Sequence, residues 1–158
     1  VADYPVRFAA DDVHFRLLTC ADLPAVLNIE RTSYSFPWSE AVFADCMKAG
    51  YECWGGYQAG ELLGYGIMQQ ILDEVHLLNL CVAPRQRGRG VARLLLRQVI
   101  VRSRQQGAVT LGLEVRASNL AARELYASEG FMETGVRPDY YPDSRTREDA
   151  HILSLPLT

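Results

Sequence analysis

Three observations predict an α/β fold in which helices pack against one sheet. The first is size and composition: 158 residues, 49% of them apolar and 22% charged. At roughly 150 residues per domain this is one domain's worth of chain, with material for a substantial core and no basis for wholesale disorder. The second is an alternation of strand-period and helix-period segments through the second half of the chain. The third is a glycine-containing turn that joins an apolar strand to the longest helical segment. No repeat or low-complexity linker marks a second module.

Taken in order, residues 1–14 show no sustained period and read as an N-terminal arm of uncertain order, leaving 15–158 as a single domain. Phe15–Leu18 reads as a strand. Thr19 and Asp22 then have capping-box spacing, and Leu23, Val26, Leu27 and Glu30 follow at helical intervals to an end near Thr32. Pro37, in the segment SYSFPWS, breaks that pattern, and Ser39 is placed to cap a second helix whose apolar face is Val42, Phe43 and Cys46. CWGGYQ and LLGYGIMQQIL read as strands separated by an AGE turn, with EVHLLNLCV as a third strand of an antiparallel meander. Pro84 stops it. The turn RQRGRG leads into VARLLLRQVIVRSRQQ, where Val91, Leu94, Leu95 and Val99 share one face and Gly107 ends the helix. VTLGLEV is a strand, SNLAARELYASEG a short helix ending at Gly130, FMETGVRPDYY a strand and turn, and HILSLPL a terminal strand.

The balance of 16 basic and 19 acidic side chains, a formal charge of -3, weighs against a general nucleic-acid coat or a membrane-surface binder. Apolar runs fall far short of the roughly 18 residues of a membrane span, and VADYPVRFAADDVHFR has neither a basic nor a continuous apolar signal region, so a cytoplasmic chain is expected. Cys20, Cys46, Cys53 and Cys81 form no CxxC element and are expected as free thiols, with Cys81 a small hydrophobe in LLNLCVAP. His14, His76 and His151 are scattered without zinc-like partners, so no metal is expected. Nothing resembles a coiled-coil repeat, and a monomer is expected.

Arg85-Gln86-Arg87-Gly88-Arg89-Gly90-Val91-Ala92 is the candidate phosphate site. Amides at a helix N-terminus accept anionic oxygens, glycines let the backbone approach them, and Arg85, Arg87, Arg89 and Arg93 supply a positive field. A pyrophosphate-bearing ligand fits; a merely solvated turn is the alternative. The dinucleotide fingerprint fails because Arg93 stands where a third glycine is needed, and no GK[ST] element makes a Walker-type loop.

The pattern Arg-x-x-Gly-x-Gly-x-Ala, in its strand-to-helix setting, resembles the acetyl-coenzyme A loop of the GCN5-related N-acetyltransferase (GNAT) family. LEVRASNLAARELYASEGF, Leu113 to Phe131, resembles the same family's pantetheine-contacting and tyrosine-bearing region. FPWSE at Phe36 to Glu40, DEVHLLNLCVAP around Asp73 to Pro84 and YYPDSRTREDA at Tyr140 to Ala150 resemble its bacterial branch that acetylates the N-terminal alanine of a ribosomal protein. The resemblance runs from about Phe15 to Leu157 and leaves the N-terminal segment outside it. It implies a mixed central β-sheet flanked by helices, acetyl-CoA as co-substrate, and direct transfer in a ternary complex to the α-amine of a basic N-terminal peptide from a ribosomal small-subunit protein. It further implies that Arg87, Gly88, Arg89, Gly90, Val91 and Ala92 surround the pyrophosphate. Leu80 and Val82 would present strand backbone toward the pantetheine or acetyl part, and Asn119 would contact the cofactor from the following element.

The attacking amine must lose a proton, and a carboxylate accepts it directly or through one water. Glu114, inside an apolar strand, is the base candidate; an edge-facing or salt-paired glutamate is the alternative. Tyr126 is the acid candidate, its phenol available to the leaving thiolate, with a core or interface aromatic as the alternative. Asp73 and Glu74, with Glu114, are read as an acidic receptor for the incoming peptide, closed on one side by Tyr141; an ordinary polar turn and a packing tyrosine are the competing readings. Phe36, Pro37 and Trp38 are further groove candidates. Two other functions stay open: a broader protein or small-amine N-acetyltransferase, and a non-catalytic acyl-CoA or peptide-binding domain.

Overall fold

The computed structural model describes residues 6–143 and 145–158; the part of the expected arm formed by residues 1–5 lies outside them. Seven strands and four helices follow one another as β1 (His14–Leu17), α1 (Leu23–Ser33), α2 (Glu40–Lys48), β2 (Glu52–Gln58), β3 (Glu61–Ile71), β4 (Glu74–Val82), α3 (Val91–Gln105), β5 (Thr110–Arg116), α4 (Leu120–Ser128), β6 (Met132–Pro142) and β7 (Arg147–Pro156). The chain forms two compact units, one of residues through Met68 with Asn79–Val101, the other of Gln69–Leu78 with Arg102–Thr158.

In the first unit β2 pairs β3 antiparallel, as the CWGGYQ and LLGYGIMQQIL segments of the expected meander require, with Trp54 opposite Gly66, and β1 adds antiparallel to β2, with His14 opposite Tyr57. Thr19 and Asp22 close a short 3-10 turn over Cys20–Asp22, in which the Thr19 amide donates to Asp22 Oδ2 at 2.7 Å, and α1 starts only at Leu23. Ser39 caps α2 as its spacing required, its hydroxyl accepting from the Val42 amide at 3.3 Å. Period two in β3 divides its side chains between two faces. Tyr65 and Ile67 join Val26, Leu27, Ile29 and Phe43 in a buried cluster built on α1 and α2. Gly64, on the opposite face, leaves room for α3. A Cβ there would stand 3.0 Å from Leu95 and 2.6 Å from the Cys81 carbonyl. Val91 and Leu95 of α3 pack with Leu63 and Val82, and the cluster also takes in Phe8 and Val13 from the N-terminal segment.

In the second unit β4 pairs β5 in parallel, Glu74–Leu77 against Thr110–Leu113, while β5 pairs β7 and β7 pairs β6 antiparallel. The sheet is therefore mixed, as expected. Along β5 the buried Leu111, Leu113 and Val115 alternate with Gly112, Glu114 and Arg116. β6 and β7 run longer than HILSLPL and its partner segment suggested. Their polar residues sit on an edge hairpin, where the ladder and not apolar burial defines the strand. β6 contains Pro138 and Pro142, and its register shifts between Arg137 and Tyr141, with Asp139 in the left-handed region at φ 52. Proline is tolerated at such a bulge, and the bulge turns the following side chains.

All four cysteines carry free thiols. Among the described residues no helix is long and apolar enough to cross a membrane.

Candidate active site

The glycine turn belongs to the first unit. Gly88 and Gly90 take φ 78 and 84, a backbone region that residues with a Cβ seldom occupy. The turn's own backbone bonds run from Gln86 N to Ala83 O, from Arg87 N to Pro84 O and from Leu94 N to Gly90 O; among the described residues the amides from Gly88 to Ala92 meet no protein acceptor. Unpaired amides beside two glycines at a helix start fit an anionic pyrophosphate. A Cβ at Gly90 would find nothing nearer than an Arg7 guanidinium nitrogen at 4.0 Å, so the approach to the backbone is open.

The arginines of the turn have different situations. Arg85 is exposed and pairs with Glu61 at 3.2 Å. Arg87 is exposed and makes no ion pair among the described residues. The Arg89 side chain turns inward: Nε donates to the Val6 carbonyl at 2.8 Å, Nη1 donates to Gln86 Oε1 at 2.7 Å, and Cζ lies 3.7 Å from the centre of the Phe8 ring. Leu80 and Val82 end β4 beside this turn, and the Leu80 carbonyl accepts from the Tyr34 hydroxyl at 3.2 Å.

Behind that strand lies a group that sequence reasoning left as one apolar-face position of α1. Glu30, 1% exposed, accepts from the Tyr65 hydroxyl at 2.7 Å, Asn79 Nδ2 at 2.8 Å and the Trp38 amide at 3.1 Å. The carboxylate ties α1 to β3, to β4 and to the FPWSE segment. Burial, first, and the neighbouring Cys81 and Glu30 push the Tyr65 phenol far above its ordinary range.

Glu114, Tyr126 and Tyr141 all belong to the second unit. Glu114 is paired with Arg137 at 3.0 Å. Tyr141, re-aimed by the β6 bulge, is pushed up to about 12 by burial and, next, by the negative charge of Glu114. Tyr126 is 7% exposed and packs on Phe131 in a tilted arrangement, ring centres 5.5 Å apart at 59°. Burial and then Tyr141 raise its pKa well above the phenol norm, so its proton stays in place at neutral pH. The three side chains thus form an electrostatic series carried by β5, β6 and α4.

The loop between β5 and α4 is fastened to β7. The Ser118 amide donates to Glu148 Oε1 at 2.6 Å, and Arg116 reaches Glu148 at 3.3 Å and the Pro142 carbonyl at 3.0 Å. Ser118 and Arg116 hold the Glu148 carboxyl below its usual range, and the Arg116 guanidinium also lies 4.5 Å from the Tyr141 ring centre. Asn119 is exposed and caps α4, Oδ1 accepting from the Ala122 amide at 3.2 Å. Among the described residues its side-chain amide nitrogen meets no acceptor.

Asp73 and Glu74 are not brought to this group. Asp73 is in the β3–β4 turn, where its carbonyl accepts from Val109 at 2.7 Å, and Glu74 is level with Thr110. Glu114 is four residues farther along β5, about 13 Å at strand rise. Glu74 instead lies 3.8 Å from His76. Among the described residues no cluster of three side chains suits a metal ion.

Residues 23–131 match the sequence profile of the acetyltransferase (GNAT) family. The chain belongs to this family. Among GNAT proteins it is similar to the ribosomal protein bS18-alanine N-acetyltransferase of Escherichia coli K12, 43% identical over 141 residues that cover 89% of this chain and 95% of the relative. The crystal structure of the S18-alanine N-acetyltransferase from Escherichia coli aligns with a TM-score of 0.88 and 41% identity, covering 92% and 94% of the two chains. YncA of Salmonella typhimurium, solved with its cofactor acetyl-CoA, shares the GNAT fold at a TM-score of 0.77 and 21% identity over 93% of this chain and 95% of its own.

Proposed function

We propose that this GNAT chain is an N-terminal protein acetyltransferase that uses acetyl-CoA to acetylate the α-amine of an alanine-starting ribosomal small-subunit protein. The observation that carries the reading is the glycine turn at Gly88–Ala92, with Gly88 and Gly90 at positive φ and its amides open to an anion, in a chain that covers 95% of a bS18-alanine acetyltransferase at 43% identity. Acetyl-CoA supplies an activated acetyl thioester. The Gly88–Ala92 amides and Arg87 hold its pyrophosphate, Leu80 and Val82 present strand backbone to its pantetheine and acetyl parts, and Asn119 contributes its side-chain amide.

Glu114 is the base, taking the proton of the attacking amine directly or through one water. The carboxylate already receives a cation, the Arg137 guanidinium, and the incoming ammonium competes for the same place before deprotonation. Tyr126 keeps its proton and donates a hydrogen bond to the departing thiolate. Complete transfer to a thiolate of ordinary pKa, about 8.5, would run uphill from so weak an acid, so hydrogen-bond stabilisation is its larger contribution. Tyr141 lines the acceptor side. Holding amine and thioester together supplies much of the rate.

The test is a product-mapped assay with acetyl-CoA and four acceptors: an alanine-starting peptide of a small-subunit ribosomal protein, its N-terminally blocked form, an internal-lysine peptide and a polyamine. Mass spectrometry should place one acetyl group on the free alanine α-amine. Modification confined to lysine or polyamine would overturn the proposal.

A further inference from the structure

The N-terminal segment makes its contacts on the glycine turn. The Phe8 amide donates to the Arg89 carbonyl at 2.8 Å, and Arg89 Nε returns a bond to the Val6 carbonyl at 2.8 Å. The guanidinium lies 3.7 Å from the Phe8 ring centre, and Phe8, 8% exposed, belongs to the buried cluster that includes Val82 and Val91 from either end of the turn. In a trans peptide the carbonyl and the next amide point opposite ways, and no described peptide is cis. Holding the Arg89 carbonyl toward the segment therefore aims the Gly90 amide away from it. A turn with two glycines has unusual backbone freedom, and fixing a peptide plane in advance removes ordering that a ligand would otherwise impose.

We propose that Val6, Phe8 and Arg89 form a brace that presets the glycine turn for the phosphates of coenzyme A, with Arg89 a positioning residue that acts through the brace and not by touching phosphate. The proposal rests on the reading of the turn as the coenzyme A site. It gives the segment outside the family resemblance a role in the transfer reaction.

Two conservative variants separate the brace from a simple charge. Phe8→Leu keeps an apolar side chain and removes the aromatic face. Arg89→Lys keeps the positive charge, which serves as well for a phosphate contact, but loses the planar face and the Nε donor. Coenzyme A affinity is measured by titration calorimetry on the full chain, and exchange of the Gly88–Ala92 amides is followed by NMR without ligand. Each variant should weaken coenzyme A about tenfold, the ordering cost of roughly one backbone residue. Each should speed exchange at Gly90, raise KM for acetyl-CoA more than it lowers kcat, and leave the double variant no worse than either single. Wild-type affinity and exchange in Arg89→Lys, or independent additive losses, overturn the brace. A wild-type chain that binds no coenzyme A overturns the site reading instead. Should Phe8→Leu fold poorly, Arg89→Lys alone decides.

Discussion

Glu30→Ala is the perturbation whose cost the structure specifies most closely. The carboxylate accepts three hydrogen bonds, from Tyr65, Asn79 and the Trp38 amide, at 2.7, 2.8 and 3.1 Å. Bonds to a charged group contribute about 1.5–3 kcal/mol each, and a donor left dry costs about 1–3 kcal/mol. Asn79 and Trp38 are partly exposed and regain water, whereas Tyr65 is 0% exposed and does not. Against these losses stands relief from the desolvation of a buried carboxylate. The net expectation is about 3 kcal/mol, read as a lower urea midpoint at unchanged m, with a fall in Tm of about 6 to 12 °C. The sharper observation is a double-mutant cycle. Tyr65→Phe should cost about 1.5 kcal/mol in the wild-type chain, yet return about 1 kcal/mol in Glu30→Ala, where it removes an orphaned hydroxyl. Additivity of the two substitutions within about 0.5 kcal/mol would refute the network as described.

Other outcomes follow from the same geometry. Tyr126→Phe should lower kcat roughly 100-fold or more while changing the coenzyme A dissociation constant less than about twofold; single-turnover acetylation and calorimetry separate the two. Asp73→Asn/Glu74→Gln should leave KM for the acceptor peptide within about twofold, since Glu74 stands about 13 Å and Asp73 about 16 Å along the strand from Glu114, and a large rise in KM would restore them as an acidic receptor. For acid stability, Arg16 at 2.9 Å, followed by Thr19, holds the Asp22 carboxyl far below the usual carboxylate range. A depressed folded-state pKa contributes stability that is fully present above the unfolded value, about 3.9, and is lost as pH falls toward the folded one. Arg16→Gln should therefore destabilise the protein at pH 7 and much less at pH 2, measured by urea titration at both.

The elements that sequence reasoning placed well share one physical property: their signals are local. Ser39 caps α2 through a bond three residues long, and Gly88, Gly90 and Gly107 take the positive φ that their positions in turns and at a helix end require. Alternation along VTLGLEV is enough to put Glu114 on the face opposite Leu113 and Val115. The candidate site was partly legible because the glycine turn and the ELYASEGF segment are each a short run of neighbouring residues, the second read through the family resemblance. Its partners were not. Arg137 reaches Glu114 from another strand, Arg89 bonds Val6 across 83 positions, and Asn79 bonds Glu30 across 49. The displacement of Asp73 and Glu74 from Glu114 also depends on a parallel register that composition does not encode.

By itself, then, the sequence determined the order of strands and helices and the anion-ready turn, each through backbone preferences and periodicities that act within a few residues. The acid and base candidates came with the family resemblance. Tertiary structure alone decided that Glu114 is met by Arg137, that Tyr141 is turned by a bulge beside it, that Glu30 is a buried tie, and that Arg89 faces the N-terminal segment. Those outcomes depend on which desolvated donors and acceptors the packed sheet brings within about 3 Å, because a buried polar group must find its partner wherever the fold supplies one.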